Sequence, residues 1–258
     1  MKELEYDSFS YEGENVPIQN ALADDGDLRP MYDRNKLFCP ECEEALLKFT
    51  RATYFRRAFL STRQEAYGMT NKHTSDCSHA YERASKRVIC EHYNNLTSSQ
   101  IKDKLNAAIN RFLRQRQNRR GERRFANIED NPAIIKTKDR TNCKHLSIPT
   151  KSFSHFESIW EDEDAYGVPI LFYGRVRLCA EQREMTVRGK PMICNFLCVH
   201  DADTMSEIRC FNRFENQDII ELDAVYYVAM IAVLGKTEKG GRYCNLYNQR
   251  SVVIQRID

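Results

Sequence analysis

The segment Phe38-Cys39-Pro40-Glu41-Cys42, followed by His73-Thr74-Ser75-Asp76-Cys77, decides how the first part of this chain folds. Two residues between Cys39 and Cys42 let a tight turn direct both sulfurs to one ion, and His73 and Cys77 supply two further ligands. Three thiolates and an imidazole form a closed tetrahedral set that leaves no position for water. We therefore predict a structural zinc ion bound by Cys39, Cys42, His73 and Cys77.

Nearby residues offer alternatives for the fourth ligand of this site. His79, Cys90 and His92 follow His73 closely, and their spacing does not exclude any of them. Buried cysteines and surface histidines without a metal are a further alternative, because the gap of 30 residues between Cys42 and His73 is longer than in a short zinc finger.

The composition of the whole chain restricts its class. The 258 residues carry a net charge of +2 and include ten cysteines. No positively charged and then apolar leader opens the sequence, so we expect a cytoplasmic protein with reduced thiols. No run of 18 apolar residues occurs, and we expect no membrane partner.

Shifts in composition divide the chain into four predicted regions. Residues 1–30 form an acidic lead-in, residues 31–125 a zinc-binding domain with an arginine-rich helix, and residues 126–168 a connector. Residues 169–258 alternate short apolar segments with turn residues and form the second domain.

The zinc-binding domain is predicted to contain a hairpin and two helices. Residues 46–51 and 54–60 are aromatic and apolar and can pair over the metal, while residues 81–93 are compatible with a helix. Thr97-Ser98-Ser99-Gln100 is a capping box that begins a second helix, whose core face is Ile101, Leu105, Ala108, Ile109 and Phe112. This helix becomes basic at its end, with seven arginines and one acid: Arg111, Arg114, Arg116, Arg119, Arg120, Arg123, Arg124 and Glu122.

Five strands are predicted in the second domain, at residues 170–179, 191–200, 207–214, 224–235 and 243–256. Five strands in about 90 residues are typical of an OB-fold barrel, although a small sandwich or an SH3-like barrel has a similar pattern. The predicted fold class is therefore α+β: a zinc-ribbon-like α/β N-terminal domain with a basic helix, followed by an all-β, OB-like five-stranded barrel.

The first domain resembles the zinc-binding N-terminal region of competence CoiA-like proteins and of related phage or mobile-element proteins. The resemblance lies in residues 30–95, in Phe38-Cys39-Pro40-Glu41-Cys42, Arg56-Arg57-Ala58-Phe59 and His73-x3-Cys77. That family commonly has a His-Phe-Ala-His run where this chain has Phe55-Arg56-Arg57-Ala58-Phe59. The resemblance implies a DNA-handling context and a nuclease-like second domain.

The residues of a metal-dependent nuclease are incomplete in this sequence. Asp130 precedes Ile134-Ile135-Lys136 without the expected Glu, and Glu221-x-Asp223 lacks the expected Lys. We find no phosphate loop, nucleophile elbow or zincin motif. We therefore predict a protein that is not an enzyme, and a divergent nuclease is the third hypothesis.

A nucleic-acid interface is predicted on the barrel and on the basic helix. Alternation on the third strand places Arg209, Phe211 and Arg213 on one face, where a base could stack between two guanidinium groups. The alternative is that Phe211 belongs to the core in a shifted register, that the basic strand and loop residues are solvated edge protection, and that the arginine run is a solvated helix end. The predicted contacts are Arg111, Arg114, Arg116, Arg119, Arg120, Arg175, Arg177, Arg188, Lys190, Arg209, Phe211, Arg213, Lys236, Lys239 and Arg242.

A second group of possible metal ligands, Cys194-x3-Cys198-x-His200, spreads along about 20 Å of one strand. We therefore interpret these cysteines as buried and structural.

The function that we predict is non-catalytic binding of nucleic acid, with single strands preferred and DNA or RNA left open. The alternative, from a different class, is a protein-protein adaptor of a phage, mobile-element or defence system.

Overall fold

The structure is a computed structural model, and it describes residues 6–63, 72–117, 128, 131–138, 143–153, 156, 159–160, 165–187, 190–203, 205, 207–212, 220–221, 224–238 and 240–257. Of these, residues 112, 114–117, 138, 143, 185–187 and 212 are described by their backbone alone. The chain forms two compact units, residues 1–83 with 119–147 and residues 84–118 with 148–258. No described helix combines the length and apolar character that crossing a bilayer requires.

The described part of the first unit contains three antiparallel hairpins. Each pairs two short strands: β1 (Ser8–Tyr11) with β2 (Glu14–Pro17), β3 (Leu47–Thr50) with β4 (Phe59–Thr62), and β5 (Ile134–Lys138) with β6 (Cys143–Ser147). The one-turn helix α1 (Ile18–Ala21) follows β2, and a 3₁₀ turn occupies Ser78–Ala80. The predicted hairpin is present, with its first strand inside residues 46–51, but its second strand is Phe59–Thr62 and not residues 54–60.

The core of the first unit surrounds the predicted metal ligands. Cys39 and Cys77 are buried with Phe9, Leu37 and Leu60. The predicted lead-in differs from this arrangement, because Tyr6, Phe9, Ile18, Ala21 and Leu28 are buried in this same core. The sequence analysis missed these apolar residues because residues 1–30 are acidic overall and the apolar positions among them are too widely spaced to form a periodic pattern.

Both long helices, α2 (Lys86–Asn94) and α3 (Ser98–Gln117), belong to the second unit. The capping box is confirmed, because the Thr97 N–H donates to Gln100 Oε1 (2.8 Å) and the Gln100 N–H donates to Thr97 Oγ1 (3.3 Å). The apolar face of α3 is buried at Ile101, Leu105 and Ile109. The predicted boundaries had placed this helix with the metal ligands, because residues that are adjacent in sequence were assumed to share one core.

A seven-stranded sheet forms the rest of the second unit. Its order is β13, β11, β12, β10, β9, β8, β7, and β11 also pairs with β8. Helix α3 packs against β8, β11 and β13. The strands are β7 (Thr150–Ser152), β8 (Pro169–Val187), β9 (Lys190–Asp201), β10 (Glu207–Asn212), β11 (Val225–Lys236), β12 (Arg242–Leu246) and β13 (Val252–Arg256).

The predicted fold class is wrong. The part of the chain that the structure describes is mostly β, with 47% strand and 19% helix, and its large sheet is open and seven-stranded, with no closed barrel among these residues. One added strand arises because the predicted fifth strand divides at a turn in which Ser251 bonds to Asn248. The other is β7, which pairs in parallel with β8. The described residues of the first unit form hairpins, one helical turn and one 3₁₀ turn, and not the predicted α/β domain.

Candidate metal centre and candidate nucleic-acid interface

The four predicted metal ligands lie together in the first unit. The Sγ atoms of Cys39, Cys42 and Cys77 and a ring nitrogen of His73 are all within 4.8 Å of one another. The two sulfurs of Cys39 and Cys77 are 3.8 Å apart, and His73 Nδ1 is 3.4 Å from Cys42 Sγ and 3.5 Å from Cys77 Sγ. This cluster can hold a metal ion.

The backbone around Cys39 and Cys42 directs their sulfurs to one point. The Cys39 N–H donates to Ala45 O (2.7 Å), and the Glu43 N–H donates to Cys39 O (2.9 Å). Glu43 adopts a left-handed conformation, with φ 56°. This residue reverses the chain after Cys42, and Leu47 then enters β3 with its N–H bonded to Leu37 O (2.7 Å).

Hydrogen bonds orient the ring of His73. Its Nε2 lies 2.9 Å from the Tyr6 hydroxyl and 3.1 Å from Thr62 Oγ1. Burial raises the pKa of Tyr6, so this hydroxyl stays protonated at neutral pH. These hydroxyl groups can accept a proton from Nε2, and in that tautomer the lone pair of Nδ1 is directed at the three sulfurs.

Glu41, between the two cysteines of the turn, connects that turn to the other ligand pair. Its carboxylate accepts hydrogen bonds from the backbone N–H (2.9 Å) and the hydroxyl of Ser78, the residue after Cys77. The buried Asn131 amide donates to Glu41 Oε1 (2.9 Å) and to Asp76 O (2.6 Å). These bonds hold the two halves of the site together through residues that are not ligands.

Burial and mutual repulsion disfavour ionisation of all three thiols in this pocket. Burial raises the pKa of Cys39 well above its usual value, while hydrogen bonds, first from Cys39 and then from Cys77, lower the pKa of Cys42. The cluster alone thus favours one thiolate and protonated neighbours. A divalent cation would remove this repulsion and make the deprotonated set the stable one.

The alternative ligands lie outside the cluster. His79 stacks on Tyr6, with ring centroids 4.5 Å apart, and its Nε2 is 3.9 Å from a Glu41 oxygen. Cys90 lies on α2, where its thiol is 3.8 Å from Gly167 O. His92 is on the same helix, with a buried Nε2.

Phe211 on β10, which we predicted to stack on a base, points into the core of the second unit. Phe211 is 0% exposed and packs against Phe153, Phe156 and Phe172, at centroid distances of 6.4, 5.7 and 6.0 Å. It therefore cannot stack on a base, and the predicted role of Phe211 is wrong. The predicted alternation does not extend along the whole strand, because the register is irregular between Glu207 and Arg209, and Ile208, which was assigned to the opposite face, also packs against this core.

Three of the predicted cations converge at one end of the sheet. The guanidinium carbons of Arg209 and Arg242 lie 4.9 and 5.4 Å from the ring centre of Trp160. Lys236 Nζ lies 4.1 Å from the ring centre of Tyr166, and Lys236 is the cross-strand partner of Arg242. The Arg209 guanidinium also donates to Arg242 O (2.5 Å).

The other predicted contacts are dispersed. Arg175 pairs with Asp203 (3.2 Å), and Arg177 donates to Ala202 O (3.0 Å). Lys190 is exposed and Arg111 is half-buried. The remaining predicted residues lie outside the described residues or side chains: Arg114, Arg116, Arg119, Arg120, Arg188, Arg213 and Lys239.

Two features escaped the sequence prediction. Tyr54 and Phe55, at the tip of the β3–β4 hairpin, are 95% and 93% exposed, although they were predicted to be strand residues. Cys198 and Cys210 form a disulfide, where we expected free thiols and a structural Cys198. The sequence did indicate a turn near Tyr54, because only a few residues separate the two predicted hairpin strands. It did not indicate the disulfide, because that bond depends on the register of β9 and β10.

Among the described residues, no carboxylate of the incomplete nuclease motifs belongs to a group that could hold a metal ion. The Glu221 carboxylate accepts a hydrogen bond from Arg256 (2.6 Å), and it belongs to none of the potential metal-binding groups. Asp130 lies outside the described residues.

Comparison of the chain with protein-family models, with curated proteins and with solved structures finds no match. The resemblance to CoiA-like proteins therefore stays a prediction.

Proposed function

We propose that this is a non-catalytic nucleic-acid-binding protein that prefers single strands and uses zinc as a structural metal. The observation that carries this proposal is the convergence of Arg209, Lys236 and Arg242 at one end of the sheet. These cations come from three different strands, β10, β11 and β12. None of the ion pairs among the described residues includes them, so their charge attracts phosphates.

An exposed aromatic ring beside these cations favours single strands. Tyr243 is 42% exposed, next to Arg242, and lies against Gly235 on the neighbouring strand. A Cβ at Gly235 would be only 2.0 Å from Cζ of Tyr243, so glycine is required for the ring to lie there. A ring fixed on a strand can stack on an unpaired base, whereas in a duplex the base faces are already occupied.

Zinc suits the cluster of Cys39, Cys42, His73 and Cys77 because of its distances. In a tetrahedron with Zn–S near 2.3 Å and Zn–N near 2.05 Å, two sulfurs are about 3.8 Å apart and a sulfur and a nitrogen about 3.6 Å. The corresponding distances here are 3.8 Å and 3.4 to 3.5 Å. Four protein ligands leave no open position, so the ion would stabilise the first unit without acting on a substrate.

Anisotropy of a labelled single-stranded oligonucleotide, titrated with the full chain, tests this function. We expect Arg242→Gln to weaken binding about threefold to tenfold and to lower the slope of log affinity against log salt by about 0.7. Arg250→Gln is the matched control, because Arg250 is exposed in the same unit and carries the same charge. Equal effects of the two substitutions, or no salt-dependent binding by the wild type, would refute the proposal.

The stacking component needs its own pair of variants. Tyr243→Ala should weaken single-strand binding by about fivefold to a hundredfold, whereas Tyr243→Phe should bind like the wild type because it keeps the ring. Melting curves of both variants check that the β11–β12 hairpin is intact. A Tyr243→Ala variant that melts and binds like the wild type would remove Tyr243 from the interface.

A protein-binding role is the second candidate, and the exposed tip of the first unit favours it. Tyr54 and Phe55 contact each other edge-to-face at 4.9 Å and are almost fully accessible. Neighbouring exposed aromatic residues are typical of binding hot spots. A photo-crosslinking phenylalanine at Tyr54 should capture a defined protein partner in extracts of the source cells, and the same probe at the exposed Met31 should not.

A further inference from the structure

Three cysteines of the second unit form a row across three neighbouring strands. Cys179 on β8 is the direct cross-strand partner of Cys198 on β9, and Cys198 is the direct partner of Cys210 on β10. Cys198 and Cys210 are joined by a disulfide, and Cys179 is a free thiol. The Cys179 and Cys198 sulfurs lie within 4.8 Å of each other.

We propose that this row is a thiol–disulfide exchange site, in which Cys179 attacks Cys198 and displaces Cys210. The order of the three residues is the order that in-line displacement requires, with the attacked sulfur between the attacking and the leaving sulfur. The site is independent of the proposed nucleic-acid function.

The side chains around the row differ between the two ends of the reaction. The Cys179 thiol donates to Glu181 Oε1 (3.5 Å), and burial and then this contact raise the pKa of Cys179, so we expect the exchange to become faster as the pH rises. Arg183 Nη2 lies 3.2 Å from Cys210 Sγ, the leaving sulfur, and 3.7 Å from Cys198 Sγ. A guanidinium beside a sulfur stabilises the thiolate, and a better leaving thiolate departs faster.

The exchange is balanced without an external oxidant. The Cys179 proton leaves past the Glu181 carboxylate to water, and the thiolate forms a bond to Cys198 Sγ. The Cys198–Cys210 bond breaks, and its electron pair stays on Cys210 Sγ beside Arg183. One disulfide is lost and one is gained, so the total number of thiols is unchanged.

The accessibility of the three sulfurs determines which of them a thiol from solution can attack. Cys198 is 0% exposed, whereas Cys179 and Cys210 are half-buried. A low-molecular-weight thiol such as glutathione can therefore attack the Cys198–Cys210 disulfide at Cys210, and can attack Cys179 once the Cys179–Cys198 link has formed, but it cannot attack Cys198 directly. The exchange also moves the covalent link from the pair β9–β10 to the pair β8–β9, and β10 carries Arg209.

Peptide mapping can detect the exchange, because trypsin places the three cysteines on separate peptides. These are residues 178–183 for Cys179, 189–209 for Cys198 and 210–213 for Cys210. Residues 189–209 also contain Cys194, and chymotryptic cleavage after Phe196 separates it from Cys198. Oxidised full-length wild type is incubated with one equivalent of glutathione, quenched in acid, alkylated and digested.

We expect the wild type to give two linkages, 189–209 with 210–213 and 178–183 with 189–209, the second with alkylated Cys210. Oxidised glutathione should convert Cys210→Ser wholly to the Cys179–Cys198 linkage, and Cys194→Ser should behave as the wild type. Wild-type protein that gives only the Cys198–Cys210 linkage overturns the proposal, as does a folded Cys210→Ser variant that keeps glutathione on Cys179 or Cys198.

Discussion

The two cysteine clusters of this protein have similar sulfurs but different surroundings. In the first unit, three sulfurs face a histidine whose other nitrogen is bonded to hydroxyl groups. In the second unit, three sulfurs lie in a row on adjacent strands, beside the Arg183 guanidinium. A converging set that includes a ring nitrogen suits a metal ion, whereas a linear set beside a cation suits exchange between sulfurs. The neighbours of a cysteine, more than its burial, therefore indicate its chemistry.

The largest expected effect is the loss of bound metal and of stability when one cysteine of the first cluster is replaced. Cys77→Ser should abolish binding of one metal ion per chain and destabilise the first unit by more than about 4 kcal/mol, since it removes a buried ligand. Metal analysis and thermal melting measure both effects. Cys90→Ser is the control, because Cys90 lies outside the cluster and should keep full metal content. A Cys77→Ser protein with full metal content would break the comparison.

Selective reagents should act on one cluster at a time, with a smaller effect. Reduction of the disulfide, which closes a separation of 12 residues, should cost about 3 kcal/mol of the unfolding free energy and release no metal. A chelator should release the metal and leave the Cys198–Cys210 disulfide in place. Melting curves and thiol counts after each treatment test this. Loss of metal upon reduction would show that the clusters are not chemically separate.

The smallest expected effect concerns the cation beside the second cluster. Arg183→Gln should slow formation of the Cys179–Cys198 linkage about twofold to fivefold, since its hydrogen bond to Cys210 is partly exposed to water and screened. Metal content should stay unchanged. Arg175→Gln is a matched control on the same face of β8, where Arg175 pairs with Asp203. Equal rates for these two variants and the wild type would remove Arg183 from the exchange site.

Local patterns made several features predictable. The capping box of α3 and the strand positions 170–179, 191–200 and 224–235 correspond to observed elements, because caps and apolar alternation act within a few residues. The boundaries of the units were less predictable. The apolar residues before position 30 and the division of the last strand depend on contacts with distant segments.

The sequence by itself determined the four residues that can hold a metal, because two of them share a tight turn and the other two are four residues apart. Tertiary structure decided which side chains of β10 are buried. It places Phe211 in the core, where it cannot contact a ligand, and it places Cys210 within hydrogen-bonding distance of Arg183. It also decided the register that places Cys179, Cys198 and Cys210 in one row. A shift of one residue in strand pairing moves every side chain to the opposite face, and no local pattern fixes that shift.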